Sequence, residues 1–252
     1  MLKAKNISVS YNVDKKALDG VTLEAKENQW IMLLGPNGAG KSTLIKALSR
    51  VLPYEGEVLI KGQDIAHIKP RKLAGMLGVL QQSNPVNYAF TVEEIVQLGR
   101  YAFRGGIFSK PRQDNEEKVE QALLWTGMSD FRGRKITSLS GGERQRAFLA
   151  QVFAQDPDIL LLDEPSGSLD LKHQQALFDL VREWAQKPGR CVISAVHDLS
   201  LARKYGSHAI LLRNGKAPAQ GSIQTVMSRD NLSAVYGMDV HQWMKDMLVQ
   251  WA

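Results

Sequence analysis

Nine consecutive residues of this chain have the composition and spacing of a loop that binds phosphate. The first eight match the pattern G-x-x-x-x-G-K-[ST] without a gap, and the nine are Gly35, Pro36, Asn37, Gly38, Ala39, Gly40, Lys41, Ser42 and Thr43. Glycines allow positive φ angles that turn backbone N–H groups towards phosphate oxygens. Lys41 then reaches the outer phosphates, Ser42 supplies a hydroxyl ligand for Mg²⁺, and a helix predicted to begin near Lys41 adds its positive dipole end. The loop therefore predicts binding of a nucleoside triphosphate with Mg²⁺.

Two carboxylates follow an apolar run further along the chain. Ile159–Leu162 is uniformly apolar, and Asp163 and Glu164 come directly after it. Such a run indicates a buried strand that delivers both acids to the carboxyl edge of a sheet, where ligands bind in α/β folds. Asp163 is predicted to hold Mg²⁺ directly or through water, and Glu164 to polarise an attacking water. The alternative is that both acids only cap the turn after the strand.

A second candidate anion site precedes these acids. Leu139 is followed by Ser140, Gly141, Gly142 and Glu143, and then by a sequence typical of a helix. The start of such a helix exposes backbone N–H groups, and the Ser140 hydroxyl is placed to donate to a phosphate. Taken alone, these residues would be interpreted as an ordinary capped helix. A second anion site is unexpected in a chain whose first loop already holds the triphosphate.

The three motifs, in this order, resemble those of the ATP-binding cassette (ABC) ATPases over about residues 3–227. The resemblance implies that Ser140–Glu143 bind the γ-phosphate of the ATP held by a second copy. It therefore implies a two-fold homodimer with two ATP molecules sandwiched at the interface. Hydrolysis of ATP, with ATP and Mg²⁺ as the bound groups, is the activity that follows from membership of this family.

Four further sites have roles that the resemblance implies. Gln82, with Gln81 as the alternative, stands where the family has a glutamine that contacts Mg²⁺ or its water and senses the membrane partner. His197 follows an apolar strand and resembles the family's histidine on the γ-phosphate. Ser168-Leu169-Asp170 is similar to the loop that crosses the dimer interface. Tyr11 matches the aromatic residue that stacks on adenine, although a strand aromatic packed in the core is the alternative.

The elements that position these residues follow from the alternation of apolar strands and amphipathic helices. We expect an α/β fold, a P-loop NTPase (ABC ATPase) core with a small antiparallel β subdomain and an inserted helical subdomain. The chain is expected to be one ABC ATPase domain spanning 1–252. Within it, residues 1–82 and 140–227 form the catalytic core, 83–139 the helical subdomain and 228–252 a helical tail.

The individual elements are predicted from the same periodicity. A pair of short strands is expected within 3–27. Further strands are expected at 30–34, 159–163, 191–196 and 208–212, and helices at 41–51, 91–101, 115–126, 172–186 and 199–205.

Composition limits the classes of protein that remain. The 252 residues are 44% hydrophobic, carry a net charge of +6 and include one cysteine, Cys191, expected to be a small core residue. We expect no signal peptide and no transmembrane helix, since no run of 18 apolar residues occurs. No basic run or finger pattern indicates a nucleic-acid partner. One basic and aromatic cluster is interpreted as a surface that faces a protein partner; it comprises Arg100, Tyr101, Phe103, Arg104, Phe108, Lys110 and Arg112.

Three segments narrow the resemblance further. Thr91–Tyr101, Leu169–Gln174 and Asn231–Val240 are similar to segments of importers for ferric siderophores, haem and cobalamin. They imply an ATPase on the cytoplasmic face of the bacterial inner membrane, peripheral to two polytopic permease subunits and served indirectly by an extracytoplasmic substrate-binding protein. The permease is expected to dock between Ser83 and Arg104.

Two other functions are alternatives to the importer. A soluble non-transport ABC ATPase of DNA repair or ribosome function usually carries a long coiled coil between its first two motifs, or two cassettes. Here about 100 residues separate Lys41 from Ser140, without coiled-coil heptads. A P-loop kinase leaves the Ser140–Glu143 motif unexplained. The cassette does not contact the cargo, so the sequence does not distinguish iron-siderophore, haem and cobalamin.

Overall fold

The computed structural model describes residues 1–12, 15–82, 89–103, 113–167 and 169–251. Several predicted features lie outside the described residues, namely Ser168, the docking residues 83–88, and the cluster members Arg104, Phe108, Lys110 and Arg112. Among the described residues, no helix is both long enough and apolar enough to cross a membrane.

The described elements alternate between strands and helices along most of the chain. The strands are β1 (Leu2–Asn12), β2 (Lys15–Ala25), β3 (Trp30–Leu34), β4 (Glu55–Ile60), β5 (Gln63–Asp64), β6 (Leu77–Leu80), β7 (Ile159–Asp163), β8 (Cys191–Ala195), β9 (His208–Arg213) and β10 (Lys216–Ser222). The helices are α1 (Lys41–Leu48), α2 (Pro70–Met76), α3 (Val92–Leu98), α4 (Gln113–Trp125), α5 (Gly141–Gln155), α6 (Leu171–Ala185), α7 (Leu199–Tyr205), α8 (Ile223–Val226), α9 (Arg229–Tyr236) and α10 (Val240–Val249).

A six-stranded sheet in the order β10-β9-β3-β8-β7-β6 forms the centre of the molecule. Its strands β9, β3, β8, β7 and β6 are parallel, and β10 adds an antiparallel edge. Every residue of β3, β7 and β8 is buried, as expected for apolar strands covered on both faces. The segments after β3, β7 and β8 therefore leave the sheet at the same edge, where the predicted phosphate loop, acid pair and His197 lie.

The two faces of this sheet belong to two separate apolar cores. Ile31 and Leu33 pack with α1 and with the antiparallel sheet β2-β1-β4-β5. Met32 and Leu34 face the other core, which includes buried residues of α3, α4, α5 and α6. This division follows from the two-residue period of a strand, which sends successive side chains to opposite faces. Cys191 is buried as predicted, and burial raises the pKa of its thiol to about 12.

Most predicted elements occur, with differences at their ends. Helix α1 ends at Leu48 rather than at residue 51, because Arg50 adopts the left-handed conformation with φ 57°. The helix predicted at 91–101 covers Val92–Leu98 and is followed by a separate 3₁₀ turn at Tyr101–Phe103. The strands expected within 3–27 are 11 residues each, and neither α2 nor β10 was anticipated.

The prediction that Arg100 belongs to an exposed surface cluster is wrong. Its side chain is buried and donates to the backbone oxygens of Ala154 at 2.9 Å and Gln155 at 3.3 Å. The guanidinium also lies 4.1 Å from the centre of the Phe103 ring. Arg100 therefore satisfies carbonyl groups that the end of α5 leaves without helical partners. Tyr101, the next residue, is 72% exposed, as the prediction requires.

Candidate functional site

The phosphate loop leaves β3 through glycines that no other residue could replace. Gly35 has φ 142° and Gly40 has φ 108°, both in the region that favours glycine. A Cβ on Gly35 would lie 2.2 Å from the Leu212 carbonyl oxygen, and one on Gly40 would lie 2.7 Å from the Leu18 side chain. Gly40 is also the N-cap of α1, where no side chain accepts from the first turn. The first N–H groups of α1 are therefore available to an anion.

The Lys41 ammonium is held inside this loop. Its Nζ donates to the backbone oxygen of Gly35 at 2.8 Å and to that of Pro36 at 3.1 Å. Burial lowers the pKa of Lys41, while the charges of Glu164 and Asp163 act in the opposite direction. A buried cation with two carbonyl partners is a suitable counter-ion for a phosphate that enters the loop.

Ser42 and Asp163 form an oxygen pair beside Lys41. The Ser42 hydroxyl donates to Asp163 Oδ1 at 2.7 Å, and the Asp163 side chain is buried. Burial raises the pKa of Asp163, the Ser42 hydrogen bond lowers it, and the nearby Glu164 charge raises it again. Among the described residues, no group of three or more His, Cys, Asp or Glu side chains could hold a metal alone. The pair fits Mg²⁺, which favours one or two carboxylates completed by phosphate oxygens and water.

Glu164 occupies an unusual backbone position after β7. Its φ is 48°, in the left-handed region, and its N–H donates to the Ala195 carbonyl at 3.1 Å. A non-glycine residue in this conformation stores roughly 1–3 kcal/mol, which the surrounding structure must offset. Glu164 comes directly after the end of β7 and borders the same cavity as the phosphate loop.

Each oxygen of the Glu164 carboxylate contacts a different side chain. The Gln82 amide donates to Oε2 at 2.7 Å, and His197 Nε2 lies 2.5 Å from Oε1. Gln82 follows β6 and His197 follows β8, so three different strands supply the three side chains. This geometry favours Gln82 over Gln81 as the residue beside the predicted base.

A cavity of about 750 Å³ is lined by Tyr11 and by six of the nine residues of the predicted phosphate loop. Lys41, Ser42, Glu164 and His197 line it, and its volume falls in the usual range of roughly 300–1,000 Å³ for ligand sites. Tyr11 lies at its rim, is 57% exposed rather than packed in the core, and its hydroxyl is 3.3 Å from Thr43 Oγ1. An exposed aromatic face beside a phosphate loop can stack on a base.

Sequence reasoning missed several residues of this site. Lys15, Lys16, Asn214 and Gly215 also line the cavity, although they come from the β1–β2 and β9–β10 hairpins. The pair Lys15-Lys16 was visible in the sequence as a local excess of charge. Its proximity to the phosphate loop depends on how the antiparallel sheet packs on the core.

The helical tail contributes a further contact that was not anticipated. The Gly35 N–H donates to the Tyr236 hydroxyl at 3.1 Å, so α9 supports the first residue of the phosphate loop. Burial raises the pKa of Tyr236, and the Gly35 hydrogen bond opposes this. The sequence distinguishes the segment Asn231–Val240 only by its resemblance to the importers, and no local pattern indicates this contact.

The second anion motif begins α5 as predicted, but its serine is differently engaged. Ser140 is the N-cap, accepts from Glu143 N at 3.3 Å, and donates its hydroxyl to Glu143 Oε2 at 2.8 Å. The hydroxyl expected to face phosphate thus belongs to a capping box. The described lining of the cavity includes neither Ser140, Gly141, Gly142 and Glu143 nor Asp170, which caps α6.

Comparison with known proteins places these features in one family. The family model described as "ABC transporter" matches residues 18–167. Over 95% of the chain, identity to an uncharacterised ABC transporter ATP-binding protein of Bacillus subtilis, YvrA, is 38%, and the match covers 54% of that relative's length. Identity is 36% to the ferric enterobactin transport ATP-binding protein FepC of Escherichia coli, covering 94% of this chain and 87% of FepC. It is 41% to the hemin import ATP-binding protein HmuV of Streptomyces coelicolor, covering 90% and 80%.

Solved structures give the same result for the fold. A dimeric ATP-binding cassette in a post-hydrolysis state, bound to ADP and Pi, superimposes with a TM-score of 0.77 at 26% identity, covering 88% of this chain and 99% of that one. A bacterial Atm1-family exporter with ATP bound superimposes with a TM-score of 0.79 at 28% identity, covering 98% of this chain and 42% of the exporter chain.

Proposed function

Since the chain belongs to the ABC transporter family of ATP-binding proteins, we propose that it hydrolyses ATP to drive import across a bacterial membrane. Iron-siderophore, haem or cobalamin-type compounds are the proposed cargo. FepC and HmuV, named for ferric enterobactin and hemin, support the first two classes. Fold similarity alone does not separate import from export, because the cassette of an exporter also superimposes, with a TM-score of 0.79. The import proposal therefore rests on the sequence relatives.

One observation carries the proposed hydrolysis: the Glu164 carboxylate is fixed between Gln82 and His197 at the edge of the cavity that Lys41 and Ser42 line. Glu164 is proposed to orient the attacking water and accept its proton. Gln82 and His197 hold that carboxylate in place, and both are proposed to sense the γ-phosphate.

The nucleotide is proposed to be held by the loop and its flanking groups. Backbone N–H groups of the loop after Pro36 and of the first turn of α1, together with the Lys41 ammonium, would bind the phosphates, and Tyr11 would stack on the base. Ser42 and Asp163 would hold Mg²⁺, with Gln82 nearby. The bound Mg²⁺ would neutralise charge on the phosphate oxygens.

A homodimer is proposed to complete each ATP site. Ser140–Glu143 and Asp170 lie at the starts of α5 and α6 and do not line the cavity of their own chain, which supports action on a partner's nucleotide. The dimeric cassette with ADP and Pi offers a solved precedent for the assembly. Isologous two-fold symmetry would then give two equivalent ATP sites.

The proposed membrane partners are two polytopic permease subunits, with an extracytoplasmic binding protein that delivers the cargo. The segment expected to dock them, Ser83–Arg104, retains three exposed apolar side chains among its described residues: Phe90 (39%), Leu98 (46%) and Tyr101 (72%). Exposure of Phe90 supports a surface role rather than the alternative of a packed core residue. The chain is proposed to lie on the cytoplasmic face of the inner membrane.

The test is coupled hydrolysis. The chain is reconstituted with the permease encoded beside it, and MgATP turnover is measured with and without the binding protein loaded with a ferric siderophore, haem or cobalamin. One loaded form should stimulate turnover and be transported, while Lys41→Ala should abolish both. Turnover that none of these cargos or the permease affects would instead favour the non-transport alternative.

A further inference from the structure

The segment Leu169–Gln174 makes contacts that the proposed hydrolysis does not use. Asp170 is the N-cap of α6, and its Oδ1 accepts from the backbone N–H of His173 at 2.9 Å. The same oxygen lies 2.7 Å from His173 Nδ1. The backbone and side-chain hydrogen bonds from His173 lower the pKa of Asp170, so the carboxylate is ionised and Nδ1–H must be the donor. The imidazole is thereby fixed in one orientation.

The fixed imidazole lies against the first turn of α5. A Cβ on Gly142 would be 2.6 Å from His173 Cδ2 and 2.7 Å from its Cγ. Real Cβ atoms do not approach other atoms this closely, so the ring occupies the space that glycine leaves open. The start of α6 and the start of α5 are therefore in direct contact through His173 and Gly142.

Gln174, the residue after His173, contacts the turn that follows the proposed base Glu164. Gln174 Nε2 donates to the backbone oxygens of Leu169 at 3.0 Å and Ser166 at 3.3 Å. From the other helix, Gln145 Nε2 of α5 donates to the Pro165 oxygen at 3.3 Å. The turn after Glu164 is thus tied to both α5 and α6.

We propose that His173 and Gln174 are positioning residues that couple the start of α5 to the turn after Glu164. The proposal rests on the proposed function, in which α5 contacts ATP in one site of the dimer and Glu164 acts on ATP in the other. A displacement of α5 on closing over one nucleotide is then transmitted through the His173 ring to α6. Gln174 then transmits this displacement to the turn after Glu164, the base of the second site. The two ATP sites are therefore coupled within each chain.

A simpler role, capping of α6, does not require these side chains. The cap needs only the Asp170 carboxylate and the His173 backbone N–H, which any residue at position 173 supplies. The contact of the His173 ring with Gly142 and the hydrogen bonds donated by the Gln174 side-chain amide are not part of this cap. Substituting the two side chains consequently separates coupling from capping.

The experiment measures cooperativity in the full-length chain. His173→Ala and Gln174→Ala are compared with Gln175→Ala, a matched control because Gln175 is exposed on the same turn. Both test variants should bind MgATP as monomers within about twofold of the parent. The kcat should fall about tenfold or more, since small misplacements of a catalytic group have effects of this size. The Hill coefficient for ATP should fall towards 1 from a value of at most 2, the number of sites.

Gly142 provides a second measurement that does not depend on one variant. Gly142→Ala should lower the unfolding temperature of the nucleotide-free chain, because its methyl group displaces the imidazole. In the His173→Ala background the same substitution should lower the unfolding temperature by less, since the ring is already absent. Equal losses in the two backgrounds would overturn the proposed contact, and so would an unchanged kcat and Hill coefficient in His173→Ala.

Failure of the underlying function gives a different result. If the parent chain does not hydrolyse ATP or does not dimerise with it, the proposed function fails. If the parent is active and cooperative while His173→Ala and Gln174→Ala match it, only the coupling proposal fails. If both variants have a lower unfolding temperature and also bind ATP more weakly as monomers, the two side chains have a purely structural role. That result would also overturn the coupling proposal.

Discussion

Replacing Glu164 with glutamine tests the proposed base with little change in shape. The glutamine side chain has the same size, its oxygen can still accept from Gln82 Nε2, and its amide can donate to His197 Nε2 in the neutral imidazole. The left-handed backbone at residue 164, with φ 48°, is held by the Ala195 carbonyl and is unaffected. The substitution therefore removes the ability to accept a proton and leaves the positioning intact.

The magnitude follows from this separation. A positioned general base contributes about 10²–10⁴ in rate, so turnover by Glu164→Gln should fall by that factor. At about 1.36 kcal/mol per tenfold, the transition state loses about 2.7–5.4 kcal/mol of stabilisation. Affinity for MgATP should be retained, because Lys41 and Ser42 hold the nucleotide. Loss of the Glu164 charge also removes a repulsion from the γ-phosphate, so the ATP-bound dimer should accumulate.

A further consequence concerns Asp163. Because the Glu164 charge raises the pKa of Asp163, its removal should lower that pKa and keep Asp163 ionised to a lower pH. Binding of MgATP by Glu164→Gln should therefore persist further into the acidic range than binding by the parent chain.

Three measurements check this reasoning: steady-state phosphate release, equilibrium binding of MgATP, and size-exclusion chromatography with and without MgATP. Glu24→Gln is the matched control, since Glu24 forms an exposed ion pair with Lys3 away from the cavity, and its turnover should stay within about twofold. Near-normal turnover in Glu164→Gln, together with an elution volume of a monomer in MgATP, would refute the assignment. Parallel loss of binding and turnover would show that Glu164 has a structural role instead.

The remaining predictions concern residues around this base. Ser140→Arg should leave monomer affinity for ATP near normal and abolish both dimer closure and hydrolysis; an equal loss of monomer binding would mean that Ser140 acts on its own chain's nucleotide. Tyr236→Phe should weaken ATP binding severalfold, because the Gly35 N–H loses its partner, a hydrogen bond worth about 0.5–1.5 kcal/mol; unchanged binding in calorimetry would contradict this. Gln82→Ala should reduce permease-stimulated turnover more than basal turnover, and a larger effect from Gln81→Ala would shift the assignment by one residue.

Residue types at short spacing in the sequence were enough to predict the phosphate loop and the strands beside it. The glycine spacing of Gly35–Ser42 predicts positive φ angles, and Gly35, Gly38 and Gly40 have them. The apolar run before Asp163 predicts a buried strand. This strand, β7, and the strand before the phosphate loop, β3, both occur as predicted. These features depend on residue types a few positions apart, which a sequence displays directly.

Tertiary structure decided which distant residues share the site. The phosphate loop follows β3, His197 follows β8, the acids end β7 and Gln82 follows β6, and these strands are neighbours only because of long crossovers between them. No local pattern states that order. The same reason explains Arg100, whose buried position depends on the end of α5, and Tyr236, whose hydroxyl meets Gly35 only when the tail packs on the core. Sequence periodicity sets the faces of elements, whereas pairing across the fold sets their partners.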